Sequence, residues 1–244
     1  MNYPRLAIPT YKRSDTICLK TLRYLKLVEY PRDKIYLFVI PEEEAIYREK
    51  VSADLYGQIV VGVLGLAAQR NFISQFFDEN EIIVCMDDDV LGIKSAEVFA
   101  QILQRGLTGL DQSCGLFGIM PNDDARKFKD KTTRHLSHIL GSFFICRNHK
   151  DLIITYTDKE DMERSILYFK KYGVVLRYQN AGVVTSYLKG TGGLQTNERS
   201  DRIKECILNL MEKYPECCRL VQKKKGEDIV LNWRYLFKSY SPYS

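Results

Sequence analysis

Short apolar runs alternate with helix-spaced stretches from the start of the chain to residue 90. Arg5-Leu6-Ala7-Ile8-Pro9-Thr10 predicts a first strand, closed by the polar loop Tyr11-Lys12-Arg13-Ser14-Asp15. Ser14 or Asp15 then caps a predicted helix whose apolar face is Ile17, Leu22, Leu25 and Val28. Lys34 to Ile40 predicts a second strand, ended by Pro41-Glu42-Glu43, and Glu43 to Leu55 a helix. Gln58 to Val63 predicts a third strand, and Leu66 to Phe77 a helix with Phe72, Ile73, Phe76 and Phe77 apolar. The run Glu81-Ile82-Ile83-Val84-Cys85-Met86 then drives straight into Asp87-Asp88-Asp89. Strand and helix in regular alternation predict a Rossmann-like α/β layer with this run as a core strand of a parallel sheet.

Beyond the triplet the pattern predicts a helix from Lys94 to Leu107, with Val98, Phe99, Ile102 and Leu103 inward. Strands follow at Gly115 to Ile119 and Leu140 to Cys146. The polar stretch between them, Asn122 to His138, carries Arg126, Lys127, Lys129, Lys131 and Arg134. Polar insertions of that length are commonly functional or disordered loops, and this basic excess suits an anionic partner. A helix is predicted from Thr157, with Met162, Ile166 and Phe169 on one side, then a strand from Gly173 to Tyr178. After Lys189 and the pair Gly192-Gly193, an amphipathic helix runs from Arg202 to Tyr214 and stops at Pro215. Two last strands, Arg219 to Val221 and Ile229 to Arg234, predict a hairpin around the Lys223-Lys224-Lys225-Gly226 turn.

Three adjacent carboxylates at a strand's carboxyl end repel one another unless a cation neutralises them. Oxygen-only ligands select a hard divalent ion, Mn2+ or Mg2+, of the kind that also holds a diphosphate. The same sheet edge gathers Thr10, Arg13, Arg70 and Asn71, and Arg is a planar, permanently charged phosphate donor. Clustered glycine beside Lys189, at Gly192 and Gly193, lets backbone N–H groups approach phosphate oxygens. No Gly-rich fingerprint follows the first strand, so neither a dinucleotide site nor a P-loop is indicated.

Composition narrows the setting. With 244 residues, 45% hydrophobic and 27% charged, one large α/β domain is expected. No apolar run approaches the roughly 20 residues of a membrane span, and no signal-like segment opens the sequence. Seven cysteines without a CxxC pair, three of them (Cys85, Cys114, Cys146) inside apolar runs, predict buried thiols of a reducing cytoplasm rather than disulfides or zinc.

The ordered set of PTY-K-R after the first strand, Arg70-Asn71, Met86-Asp87-Asp88-Asp89 and Glu160-Asp161 resembles the GT-A glycosyltransferases. The later pattern is closest to the DNA-base glycosyltransferases associated with TET/JBP-type pyrimidine hydroxylases. It comprises Glu160-Asp161-x-Glu163-Arg164-Ser165, Arg177-Tyr178, Gly192-Gly193-Leu194 and Lys223-Lys224-Lys225 before Leu231-Asn232. The resemblance spans nearly the whole chain. It implies an α/β fold with a mixed sheet flanked by helices and a small C-terminal helix and hairpin extension. The parts would be a nucleotide-sugar and metal half (1–112), an acceptor and catalytic half (113–198) and a basic extension (199–244).

The resemblance further implies a UDP-sugar donor, glucose by default with arabinose as an alternative, and Mn2+ or Mg2+ on Asp87 and Asp89. Pro9, Thr10, Tyr11, Arg13, Glu42, Arg70, Asn71, Asp87, Asp88, Lys189, Gly192 and Gly193 would contact the donor. Asp161, with Glu160 beside it, would be the general base of an inverting transfer, since a primary alcohol is a poor nucleophile until its proton is taken. The acceptor would be 5-hydroxymethylcytosine or 5-hydroxymethyluracil in DNA, flipped out or single-stranded. Arg126, Lys127, Lys129, Lys131, Arg134, Lys223, Lys224 and Lys225 would meet its phosphates. Relatives of this fold often add a late histidine to the metal, whereas His135, His138 and His149 all precede Asp161 here, and a loop or acceptor-side role suits His135 and His138 better. A cytoplasmic, phage-encoded enzyme fits this picture. The rival readings are transfer to a saccharide or protein acceptor, nucleotidyl transfer, and a silent nucleic-acid-binding module.

Overall fold

The computed structural model describes residues 2–186, 199–223 and 226–231. Its centre is β4 (Ile82–Met86), the strand that carries the Asp triplet. Val84 and Met86 pack into one apolar cluster, Ile83 and Cys85 into another on the opposite face. A strand covered on both sides needs a continuous apolar run rather than an alternating one, and this one has it.

Around β4 lie β1 (Arg5–Pro9), β2 (Ile35–Val39) and β3 (Gln58–Val61), connected through α1 (Thr21–Leu27), α2 (Glu44–Lys50) and α3 (Leu66–Phe76). Then come β5 (Val90–Ser95), α4 (Phe99–Gly109), β6 (Leu116–Met120), β7 (Thr132–Arg134) and β8 (Phe143–Arg147). The chain continues with α5 (Glu160–Tyr172), β9 (Leu176–Thr185), α6 (Arg199–Lys213) and the hairpin β10 (Cys218–Lys223) and β11 (Gly226–Leu231). The nine-stranded sheet has the order β3-β2-β1-β4-β8-β6-β9-β5, with β7 added on β9. Side chains of α1, α2 and α4 pack on one face, and those of α3 and α5 on the other. Among the described residues no helix is long and apolar enough to cross a membrane. All seven cysteines are free, and six of them are buried.

The sheet is mixed rather than parallel throughout. β1, β2, β3 and β4 run parallel, but β4 meets β8 antiparallel, with Met86 opposite Phe143. That pairing brings the start of β8 beside the carboxylates at the end of β4. The helix predicted from Lys94 begins only at Phe99, because Val90 to Ser95 pairs with Ala181 to Thr185 of β9. β9 therefore runs well past the predicted end at Tyr178. Neither Ser14 nor Asp15 caps α1, which starts at Thr21 after a short turn at Ile17–Leu19. The basic insertion is partly ordered, with a helical turn at Ala125–Lys127 and β7.

The C-terminal extension closes on α5. Cys206, Ile207, Leu210, Tyr214 and Ile229 bury against Met162, Ile166 and Leu136. Glu163, fully buried on α5, is its polar anchor. Its carboxylate accepts the N–H groups of Thr155 (2.6 Å) and Tyr156 (3.0 Å), the Lys213 ammonium (3.0 Å) and the Tyr214 hydroxyl (3.2 Å). Glu163→Ala would strand two backbone donors and an ammonium, so we expect a loss of about 3 kcal/mol, read as a lower urea midpoint.

Candidate active site

Above the carboxyl ends of β1 and β4 a cavity of about 570 Å³ opens. Pro9, Thr10, Tyr11 and Arg13 line it from the first strand and loop, Asp87, Asp88 and Asp89 from β4, and Glu160 and Asp161 from the start of α5. Nine of the residues singled out in the sequence thus share one space. The backbone that presents the triplet is braced by Thr21, a fully buried residue. Its hydroxyl donates to the Asp87 carbonyl (2.7 Å) and accepts the Val90 N–H (2.9 Å).

Asp87 pairs with Arg70, whereas Asp88 and Asp89 share Arg13. Asp88 is buried, accepting the Thr10 hydroxyl at 2.7 Å and the Arg13 guanidinium at 2.5 Å. Arg13 also lies 3.2 Å from Asp89. Burial pushes the Asp88 carboxyl up to about 6; Arg13 and Thr10 oppose the rise, and the neighbouring aspartates add to it. Asp89 is raised too, first by burial and then by Asp87. The triplet is short of positive charge.

Arg70 sits elsewhere than expected. It is 5% exposed and does not line the cavity. Its Nη2 donates to Asp87 Oδ1 (2.5 Å) and to the Gly141 carbonyl (3.0 Å), and its Nε lies 3.8 Å from Glu160 Oε1. The guanidinium is a bridge between the two acidic motifs, not a hand for phosphate. Arg164 completes it, donating to Glu160 Oε2 at 2.7 Å while its guanidinium lies 3.7 Å from the centre of the Phe144 ring. Gly141 is needed here because a Cβ would stand 2.5 Å from Glu160 Oε1.

Two further expectations are corrected. Asn71 ties both ends of its amide to the backbone of Ile154, at 2.8 and 2.9 Å, and is off the cavity wall. Glu42 is exposed and off the cavity; its neighbour Glu43 is the buried one. Glu43 accepts the Lys12 N–H at 2.9 Å and so holds the Lys12 backbone in the left-handed region, φ 54°. Lys189, Gly192, Gly193, Lys224 and Lys225 lie outside the described residues, as does the side chain of Lys223. Arg126, Lys127, Lys129, Lys131 and Arg134 are exposed and off the cavity wall, although their loop leaves and re-enters it at Pro121 and His138. Arg126 and Lys127 are partly occupied by Asp124, at 2.8 and 3.7 Å.

At the other side of the cavity the first turn of α5 holds Asp161. Its Oδ1 accepts the Met162 N–H at 2.9 Å, and Oδ2 lies 2.8 Å from His138 Nε2. Burial alone would raise this carboxyl; His138, Arg164 and the Met162 N–H overcome it and hold Asp161 well below the usual carboxylate range. Glu160 goes the other way, raised chiefly by burial. The turn before α5 is clamped by the C-terminal extension. Arg202 reaches Asp158 at 3.1 Å, and Lys159, left-handed at φ 71°, pairs with Asp228 of β11 at 2.7 Å. Arg164, Thr21 and Gly141 are not assigned to this site from the sequence, and His138 is given only a loop or acceptor-side role. An isolated Arg or Thr in an apolar-patterned helix carries no signal of what it will touch.

A cluster of three ligand-type side chains close enough for one ion, Glu79, His149 and Asp151, lies at the opposite end of the sheet. The triplet itself makes no such cage. That suits an ion completed by substrate oxygens, as Mg2+ and Mn2+ commonly are. Removing Arg70 should expose how much the site depends on it. Arg70→Met strands buried carboxylates and should cost about 3–5 kcal/mol, seen in chemical denaturation, and adding Glu160→Gln should recover part of the loss.

Neither a protein-family model nor a curated protein matches the sequence. Solved structures do. A crystal structure of a mycobacterial protein aligns with TM-score 0.54 at 10% identity, over 93% of this chain and 82% of that one. Glucosyl-3-phosphoglycerate synthase from Mycobacterium tuberculosis, solved with Mn2+, UDP-glucose and phosphoglyceric acid, aligns with TM-score 0.53 at 10% identity, over 92% and 85%. S. aureus TarS, fragment 1-349, aligns with TM-score 0.52 at 12% identity; 84% of this chain spans 64% of that fragment. With its nine-stranded mixed sheet flanked by helices, the chain has the GT-A fold of nucleotide-sugar transferases.

Proposed function

We propose that this protein is a metal-dependent, inverting glycosyltransferase that moves a sugar from a UDP-sugar to the hydroxymethyl group of a modified pyrimidine in DNA. The observation that carries the reading is one cavity with an under-neutralised Asp triplet on one wall and Asp161 on the other. Pro9, Thr10, Tyr11 and Arg13 border the triplet and supply the nucleotide side.

The residues fit a divalent cation. Asp87 has one oxygen on Arg70 and is a third exposed towards the cavity. Asp89, raised by burial and by Asp87, gains from any added positive charge. These two carboxylates would hold the ion, which supplies charge neutralisation for the departing diphosphate. The protein's own contribution is to aim Asp87 and Asp89, through Arg70 at 2.5 Å and Arg13 at 3.2 Å. The like fold of a synthase solved with Mn2+ and UDP-glucose supports this donor half.

The DNA acceptor rests on the loop between Pro121 and His138. Both of its ends line the cavity, and between them Arg126, Lys129 and Lys131 are exposed cations available to the phosphates of a strand entering the site, whereas Arg134 pairs with Leu176 at the far end of β9 and is set aside. An exposed basic loop at the mouth favours a polyanion over a neutral glycan.

The deciding experiment is mass spectrometry of hydroxymethylcytosine and hydroxymethyluracil oligonucleotides incubated with UDP-sugars and Mn2+. We expect a gain of one sugar on modified DNA and none on unmodified DNA. Slow UDP-sugar hydrolysis without transfer would remove the DNA acceptor and keep the donor, and release of pyrophosphate would replace the reading with nucleotidyl transfer. Lys129→Glu with Lys131→Glu should weaken oligonucleotide binding and flatten its salt dependence.

The metal should also compete with protons. Asp88 in the folded state binds a proton up to about pH 6, above the ordinary aspartate value. Its contribution therefore favours folding at low pH and is lost as pH rises through about 6. A cation beside the triplet restores what is lost. The thermal shift produced by Mn2+ should be larger at about pH 7.5 than at about pH 5.5.

A further inference from the structure

We infer that the acceptor's proton is taken by His138, at Nδ1, with Asp161 as the carboxylate that holds the imidazole. This deepens the proposed transfer and rests on it. His138 lines the cavity beside Asp161. Its Nε2 is shut off from water and lies 2.8 Å from Asp161 Oδ2. At that separation a bare nitrogen lone pair would face a carboxylate lone pair, so the proton must sit on Nε2. Nδ1 is then the basic atom. It meets no hydrogen-bond partner among the described residues and is not among the buried unpaired atoms, which leaves it open to the cavity. The Nε2 contact is not yet a well-directed hydrogen bond, and catalytic hydrogen bonds commonly tighten only when substrate is bound.

The arrangement is built rather than accidental. Ile139, the next residue, donates its N–H to the Ser165 hydroxyl at 3.0 Å, and that hydroxyl donates to the Asp161 carbonyl at 2.7 Å. Arg164 holds the Ile139 carbonyl at 3.3 Å. Ring and carboxylate are thus tied to the same turn of α5. Asp161 on its own is a weak base, with Oδ1 committed to the Met162 N–H and Oδ2 turned to the ring. An imidazole is the better match to an alcohol near neutral pH.

The step balances without a further reactant. The acceptor O–H bond breaks and its proton goes to Nδ1, while the oxygen forms a bond to the anomeric carbon. The bond from that carbon to the diphosphate breaks, and its electron pair leaves with UDP. The imidazolium is stabilised by Asp161 and later returns the proton to water.

Nitrogen-15 NMR of the metal-free protein, with His135, His138 and His149 assigned by substitution, reads the tautomer directly. We expect Nε2–H and a bare Nδ1 at His138, with that preference lost in Asp161→Asn. His138→Gln should keep Mn2+-dependent UDP binding by calorimetry and lose about 100-fold or more in kcat on hydroxymethyl oligonucleotides. The double variant should be scarcely worse than either single one, as for groups acting as a unit. An Nδ1–H tautomer at His138 overturns the inference. So does a His138→Gln enzyme within about threefold of wild type when Asp161→Asn is inactive, for then the carboxylate takes the proton itself. If the wild-type protein glycosylates no oligonucleotide, the acceptor reading falls, and the tautomer still decides the dyad.

Discussion

The site depends on one buried cation. Arg70 joins Asp87 of the triplet to Glu160 of α5 and to the Gly141 carbonyl between them. Taking a guanidinium out of water costs several kcal/mol and is recovered only where partners surround it. Here Nη2 donates to Asp87 and the Gly141 carbonyl, with Glu160 3.8 Å from Nε and the Phe144 ring centre 5.5 Å away, while Nε and Nη1 make no hydrogen bond. The consequence is geometric. The triplet ends a strand of the parallel half of the sheet, whereas Glu160 and Asp161 begin a helix reached only after four more strands and a long loop. Arg70 fixes the distance between them, and with it the width of the cavity that a donor and an acceptor would share.

That same interaction explains what was and was not legible in the sequence. The triplet declared itself because a strand-length apolar run ending in three carboxylates has few places to go. Thr10 and Arg13 follow once the strand ends are placed, since each adjoins an element with clear period; Pro9, Tyr11 and Asp161 come only from the resemblance, and all five line the cavity. Arg70 is legible as a residue of this edge, but its partners are not. Its position is set by Glu160, ninety residues later in the chain, and no local pattern reveals a partner that distant. Asn71 failed for a related reason, because an amide looks the same in sequence whether it reads a ligand or ties down the Ile154 backbone. With Glu42 and Glu43 adjacent, the choice turned on which one the short turn at Pro41–Glu43 points inward.

The fold was legible to the same depth. The βα units of the first half have local contacts and strong period, and they appear nearly as expected. The errors collect at β5 and the second half of β9, two strands that define each other by pairing Val90–Ser95 with Ala181–Thr185. Neither is a strong strand by its own residues. Val90-Leu-Gly-Ile-Lys-Ser carries a glycine and a lysine, and Asn180-Ala-Gly precedes Val183. Tertiary pairing decides such segments, and it is this pairing that sets Val183 and Thr185 in the cavity wall.

The two walls of the cavity are consequently held by different physics. On the triplet side, strand ends and short loops place the carboxylates, and buried hydrogen bonds from Thr10, Arg13 and Thr21 keep them there. On the α5 side the turn before the helix is irregular, with a left-handed lysine at its cap and no side-chain cap of its own. It is steadied from outside by Arg202 on Asp158, Asp228 on Lys159 and the Glu163 anchor to Lys213. A left-handed non-glycine residue costs of order 1 kcal/mol and persists only where its surroundings over-determine it. The C-terminal extension is therefore part of the α5 wall, because the backbone that aims Asp161 at His138 is not self-supporting. Changes in the extension should act first on the geometry of that pair, and the triplet, braced within the sheet, should be the last part of the site to notice.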